Sequence, residues 1–128
     1  MAKAPEFLND QLARFGEAMG LKTLALSERG TVGFRFDNGF AVRFEYAFET
    51  LSILVTVPCE ASAAAMERLL ARSHYEARRP FKVRTGYLEK SGCAFFALRL
   101  RETDVTLPVL QEVWNTLWRE ARDFGGAQ

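Results

Sequence analysis

The sequence predicts an α+β domain: an antiparallel twisted sheet of about five strands in the order α-β-β-β-α-β-β-α, with the terminal helices packed on the sheet. Two observations carry this. Between Thr31 and Val57, three runs alternate apolar and polar residues with the period of two expected of half-buried strands. Outside that stretch, apolar residues recur every three to four positions in three segments, as on amphipathic helices. With 128 residues the chain can bury one core, so residues 1–128 are expected to form a single domain.

The first helix is expected from Pro5 to Met19, with Leu8, Leu12, Phe15 and Met19 as its buried stripe. Pro5 suits a first helical turn, and Gly20 suits the residue where the chain leaves through the left-handed region. Phe7 falls about 100° off the stripe and belongs on the flank. Leu21 to Leu26 is a short apolar lead-in before a turn at Arg29-Gly30. The meander follows. Val32, Phe34 and Phe36 share one face of the first run; Phe40, Val42, Phe44 and Tyr46 share one face of the second; Leu51, Ile53, Val55 and Val57 are in step on the third. Asn38-Gly39 between the first two is the strongest short signal for a two-residue hairpin with positive φ at both positions.

Pro58 ends the third strand, and Ser62 can cap a helix reaching about Ser73. Its stripe is Ala63, Met66, Leu69 and Leu70, with alanines around the remaining faces. Such a helix can be approached closely from two sides, although alanine is also simply the best helix former. A second hairpin is expected from Phe81–Tyr87 and Cys93–Leu100, turning at Lys90-Ser91-Gly92. Its last strand is apolar on both faces until Arg99, as in a central or covered strand. Thr106 and Pro108 open the final helix, striped by Leu110, Trp114, Leu117, Ala121 and Phe124 and widened by Val113 and Trp118.

Composition excludes several functions. Hydrophobic residues make up 48% and charged residues 26%, which argues against disorder. A net charge of +1 gives no global field to recruit nucleic acid or an anionic membrane. No apolar run approaches a membrane span, and MAKAPEFLND lacks the layout of a signal peptide. Cys59 and Cys93 match no metal or redox spacing, so reduced thiols in a cytosolic protein are expected. His74 is the only histidine, and no Gly-rich loop joins a strand to a helix. Asp37, Glu45 and Glu49 lie among strand arginines as exposed partners rather than as an acid–base pair. No active site, metal, nucleotide or redox cofactor is expected. Arg35, Arg43, Lys82, Arg84, Arg99 and Arg101 make the polar strand faces locally basic. The aromatics of the meander alternate out of phase with Arg35 and Arg43, so they read as core and not as a base-stacking platform.

Leu12, Phe15-Gly16, Gly20-Leu21, Leu24 and Leu26, then Gly30, Phe36-Asp37, Val42, Glu45 and Leu51 through Val57, form an ordered set that resembles the class I type III secretion chaperones of the Tir-chaperone type. The match continues through Leu69-Leu70 and the second hairpin to the closing helix. The chain differs from the usual members in being near neutral rather than acidic, and in Ser73 where an Asn often follows the Leu-Leu pair. The resemblance implies a non-enzymatic bacterial protein of the cytoplasm. It also implies a homodimer built through the middle helix, at Ala63, Met66, Leu69 and Leu70. The partner is then the N-terminal segment of a secreted effector, received in extended form. Phe7, Leu8, Leu12, Leu24, Leu26, Phe34 and Phe36 are the expected partner-binding residues, on an apolar groove beside an open strand; the alternative for Leu24 and Leu26 is that they simply complete the core. Two other readings stay open: a same-fold regulatory or interaction module outside secretion, and a small ligand-binding or enzyme domain with a cavity under the Trp114/Trp118 helix.

Overall fold

The structure is a computed structural model that describes residues 4–21, 24–73 and 82–126, apart from the side chains of residues 72, 73 and 126. His74 and Phe81 lie outside the described residues. Along the chain come α1 (Glu6–Ala18), β1 (Thr31–Arg35), β2 (Ala41–Ala47), β3 (Thr50–Pro58), α2 (Ala63–Ser73), β4 (Arg84–Leu88), β5 (Cys93–Arg101), a 3-10 turn at Glu102–Asp104, and α3 (Leu107–Gly126). This is the expected order with one short turn added.

The strands form one antiparallel sheet in the order β1-β2-β3-β5-β4. A single row crosses all five strands as Phe34, Val42, Val55, Phe96 and Thr85. That row and its alternate neighbours form the buried face, because a period of two puts every second residue on the same side. β5 is an interior strand between β3 and β4, as its apolar sequence predicts, but only one of its faces is covered. Ala94, Phe96, Leu98 and Leu100 are buried, whereas Cys93, Phe95 and Ala97 are half-buried on the other side.

All three helices lie on the covered face. α3 packs across β3 and β5, α1 packs on α3, and α2 packs on β4. Edge-to-face rings fill the space between layers: Phe15 with Phe44 and with Trp114, and Phe96 with Phe124. α2 is fastened to the end of α3 by Arg68, whose guanidinium lies 4.6 Å from the Phe124 ring centroid and donates to the Phe124 carbonyl.

Three local expectations need correction. Met19 is exposed, because α1 ends at Ala18 and Met19 is already in the cap; Gly20 then takes φ 73°. In α2, Ala65 and Leu69 face the core with Met66 beside them, while Ala63 and Leu70 point outward. The helix is therefore rotated from the expected stripe, and its start is fixed by Ser62, whose Oγ accepts from the Ala65 N–H at 3.0 Å. The Asn38-Gly39 turn is not a two-residue hairpin. Gly39 alone takes positive φ there, and its N–H donates to the Phe36 carbonyl, giving a three-residue loop with a bulge.

Candidate functional site

β1 is a sheet edge, with β2 on one side and no strand on the other among the described residues. Which backbone groups are unpaired follows from the register. Phe36 donates to the Phe40 carbonyl, and Tyr46 donates to the Gly30 carbonyl. Antiparallel pairs alternate between bonded and unbonded positions, so Val32 and Phe34 turn their backbone groups toward β2. Gly33 and Arg35 turn theirs outward. The edge thus offers two residues' worth of donors and acceptors to a further strand.

An apolar shelf lies beside this edge. Val32, Phe34 and Phe36 are half-buried against the core, as are Phe40 and Trp118. Trp118 stacks on Trp114 at 5.1 Å and meets Phe36 at 5.0 Å and Phe40 at 5.4 Å, edge to face. Phe36 also meets Trp114 at 5.9 Å. The rings hold one another in fixed positions, so the accessible part of the shelf is a preformed surface.

The expected partner-binding set divides in two. Leu8, Leu12 and Leu24 are fully buried, and Leu26 nearly so. These four complete the core and do not line a groove. The lead-in segment that carries Leu24 and Leu26 is tied to α1 by a long-range bond: the Leu26 N–H donates to Asn9 Oδ1 at 3.1 Å. Phe34 and Phe36 sit together beside the edge, and Phe7 is 47% exposed on α1. Sequence reasoning missed Trp118 and Phe40 as site residues. The available signal was the four-residue spacing of Trp114 and Trp118, two side chains too large for both to be fully covered on one helix.

α2 offers a second apolar surface. Leu70 is 61% exposed, and Ala63, Ala64 and Ala71 are exposed around it. Of the expected dimer residues, Leu69 is instead a core residue and Met66 is partly buried.

Two polar groups are shifted by their surroundings. Tyr46 Oη donates to Glu102 Oε2 at 2.5 Å, and that bond, with burial and the charges of Glu102 and Glu49, pushes the phenol up to about 12. Burial likewise raises the Cys59 thiol against the opposing pull of Arg68, which disfavours a reactive thiolate. Among the described residues no group of His, Cys, Asp and Glu is placed to hold a metal ion, and no helix is long and apolar enough to cross a membrane.

The family of the type III secretory system chaperone SycN matches residues 7–124. In solved structures, the ExsC-ExsE complex contains a chain with TM-score 0.81 and 20% identity, over 97% of this chain and 95% of that one. The HopA1-SchA chaperone-effector complex gives TM-score 0.74 and 20% identity, over 96% and 99%. The Yersinia pestis type III secretion chaperone SycH, in complex with a fragment of YscM2, gives 0.71 and 16%, over 91% and 98%. A comparison with curated proteins finds no match.

Proposed function

The chain belongs to the type III secretory system chaperone SycN family, and on that premise we propose that its β1 edge takes up the N-terminal segment of a secreted effector as an added strand. The carrying observation is the outward-turned backbone of Gly33 and Arg35 beside the half-buried Phe34, Phe36 and Trp118. Main-chain bonds to an edge give affinity for any extended chain, while pockets for alternate side chains give selectivity. Completing the burial of two half-covered rings contributes about 2–3 kcal/mol before association costs. Related folds seated on an effector, as in the HopA1-SchA complex, support the same reading. The protein holds its cargo in the bacterial cytoplasm before export and acts without catalysis.

The exposed face of α2 then serves a homodimer, with Leu70 and the surrounding alanines in the contact. Leu70→Glu places a charge there without touching the buried Leu69 side. Light scattering should show a dimeric wild type and a monomeric variant; a wild type that is monomeric at micromolar concentration would refute the dimer.

Edge binding is tested by a pair of substitutions at one position. Arg35→Ala keeps the outward N–H, and Arg35→Pro removes it from an edge position where proline is tolerated. Titrated calorimetrically with the N-terminal segment of an effector encoded beside the gene, the Ala variant should bind within a few-fold of wild type. The Pro variant should bind about tenfold or more weakly, the equivalent of ~1.4 kcal/mol. Equal affinity for both variants would place the segment elsewhere.

A further inference from the structure

The sheet face opposite the helices gathers charge that nothing in the edge-binding reading uses. Register places Gly33, Arg43, Leu54, Ala97 and Arg84 in one row across the five strands. Thr31, Glu45, Ser52 and Arg99 form the next, and Arg35 and Arg101 lie on the same face in the flanking rows. Lys82 lines the same surface just before β4. Among the described strand positions of this face and Lys82, six cations therefore stand beside one carboxylate, Glu45, in a chain whose net charge is only +1. Among the described residues, the ion pair on this face is Arg43 with Glu45, at 2.7 Å and half exposed. No other salt bridge joins a cation of this face to a carboxylate among the described residues.

The centre of the face is not polar. Leu54, Phe95 and Ala97 are half-buried and floor a shallow groove of about 820 Å³ toward β4. A second groove of about 490 Å³ runs toward β1 over Ala41, Thr56 and Cys93, and Leu54 lines both. An apolar floor ringed by a cationic excess, with Arg43 alone in a half-exposed ion pair, is the complement of a chain that alternates carboxylates with apolar side chains.

We propose that this face is a second docking surface, for an acidic polypeptide segment bound in extended form. Arg43 and Arg84 are separated by three strand spacings, about 14 Å. In an extended chain, side chains at i and i+4 point the same way about 13 Å apart, so two carboxylates meet the two arginines while the i+2 side chain rests on Leu54 and Ala97. A second copy placed face to face would oppose two cationic surfaces, which costs rather than contributes. Among the described residues single-stranded nucleic acid finds one ring here, Phe95, where successive bases need several.

The test uses a labelled peptide of about ten residues built from Glu-Ser-Leu-Ser repeats, long enough at ~3.3 Å per residue to cross the sheet. Fluorescence anisotropy with the full chain should show saturable binding that weakens between about 0.05 and 0.3 M salt. The Arg43→Glu/Arg84→Glu double variant should bind about tenfold more weakly or worse, and Arg43→Gln/Arg84→Gln should fall between. Both alter exposed side chains, and circular dichroism checks their folding. Phe36→Ala, on the opposite side of the sheet against Trp114 and Trp118, should bind as wild type, which separates this surface from the shelf beside the β1 edge. No saturation below about 1 mM, equal binding of the same peptide with Lys for Glu, or affinity unchanged in both double variants would overturn the proposal. Binding of a labelled oligothymidine in place of the peptide would also overturn it.

Discussion

The sheet has two edge strands of equal length, and they are used differently. β4 commits its side chains to its neighbours. Thr85 Oγ1 donates to the Leu69 carbonyl of α2 at 3.2 Å, and Tyr87 Oη donates to the Cys59 carbonyl at 3.1 Å, just upstream of the same helix. On the other face, a Cβ on Gly86 would meet the Phe95 ring at 2.5 Å, so the ring lies directly over the strand. β1 has no such ties. Val32 and Phe34 rest on the core, and no side-chain hydrogen bond joins Val32 through Arg35 to another element among the described residues. An unpaired edge is an aggregation hazard unless it is covered, charged or used. β4 is braced by α2, whereas β1 keeps an apolar, unpaired edge next to fixed aromatic rings. That difference is what a strand-accepting site requires.

If β4 is the structural edge, emptying its support should cost the most. Leu69→Ala removes a buried side chain between α2 and the sheet and should lower stability by about 2–4 kcal/mol in urea unfolding. Phe34→Ala, on the half-covered β1 side, should cost about 1–2 kcal/mol. Equal losses would erase the asymmetry.

The next effect down lies where β2 anchors the entry to β1. Tyr46 holds the Gly30 carbonyl through its backbone and Glu102 through its hydroxyl. Tyr46→Phe should cost about 1.5–3 kcal/mol at neutral pH, as for a hydrogen bond to a charged group. The phenol's ordinary value is 10.0 and in the fold it lies at about 12, so the folded state holds the proton more tightly. The stabilisation is therefore complete below pH 10 and disappears as pH rises from 10 to 12. The gap between wild type and Tyr46→Phe should close over that window. A gap that persists unchanged at high pH would contradict the assignment.

The smallest effect concerns the β2–β3 turn. Phe48 and Glu49 take φ 51° and 61°, and Phe48 is 97% exposed. This is the true two-residue turn with both φ positive, built from residues that disfavour it. Replacing the pair by Phe48→Asn and Glu49→Gly should raise stability by about 1 kcal/mol, read as a higher urea midpoint. A lowered midpoint would mean that Phe48 makes a contact its exposure does not reveal.

These cases show what was legible in the sequence. Strand faces were, because a period of two leaves no rotational freedom: Phe34, Val42, Val55 and Phe96 share the buried row. α2 was legible as a helix, but its rotation was not. With alanines on every side, the stripe through Ala63 and Leu70 and that through Ala65 and Leu69 differ by little apolar area. The turns misled in both directions, since Asn38-Gly39 adopts a longer loop and Phe48-Glu49 carries no turn residue at all. Of the site, Phe34 and Phe36 could be placed from alternation and the edge position of their strand. Leu24 and Leu26 were harder to place, because the bond from the Leu26 N–H to Asn9 Oδ1 that ties their segment to α1 joins residues far apart in sequence. For Trp118 the four-residue spacing from Trp114 signalled incomplete burial, but its meeting with Phe36 and Phe40 depends on α3 crossing the sheet.

Amide hydrogen exchange at the two edges tests the central claim most directly. With the effector's N-terminal segment bound at saturation, the outward amides of Gly33 and Arg35 should slow by about tenfold or more, as newly bonded amides do. Those of β4, Arg84 to Leu88, should be unchanged. Protection that appears along β4 while Gly33 and Arg35 continue to exchange as in the free protein would contradict the account.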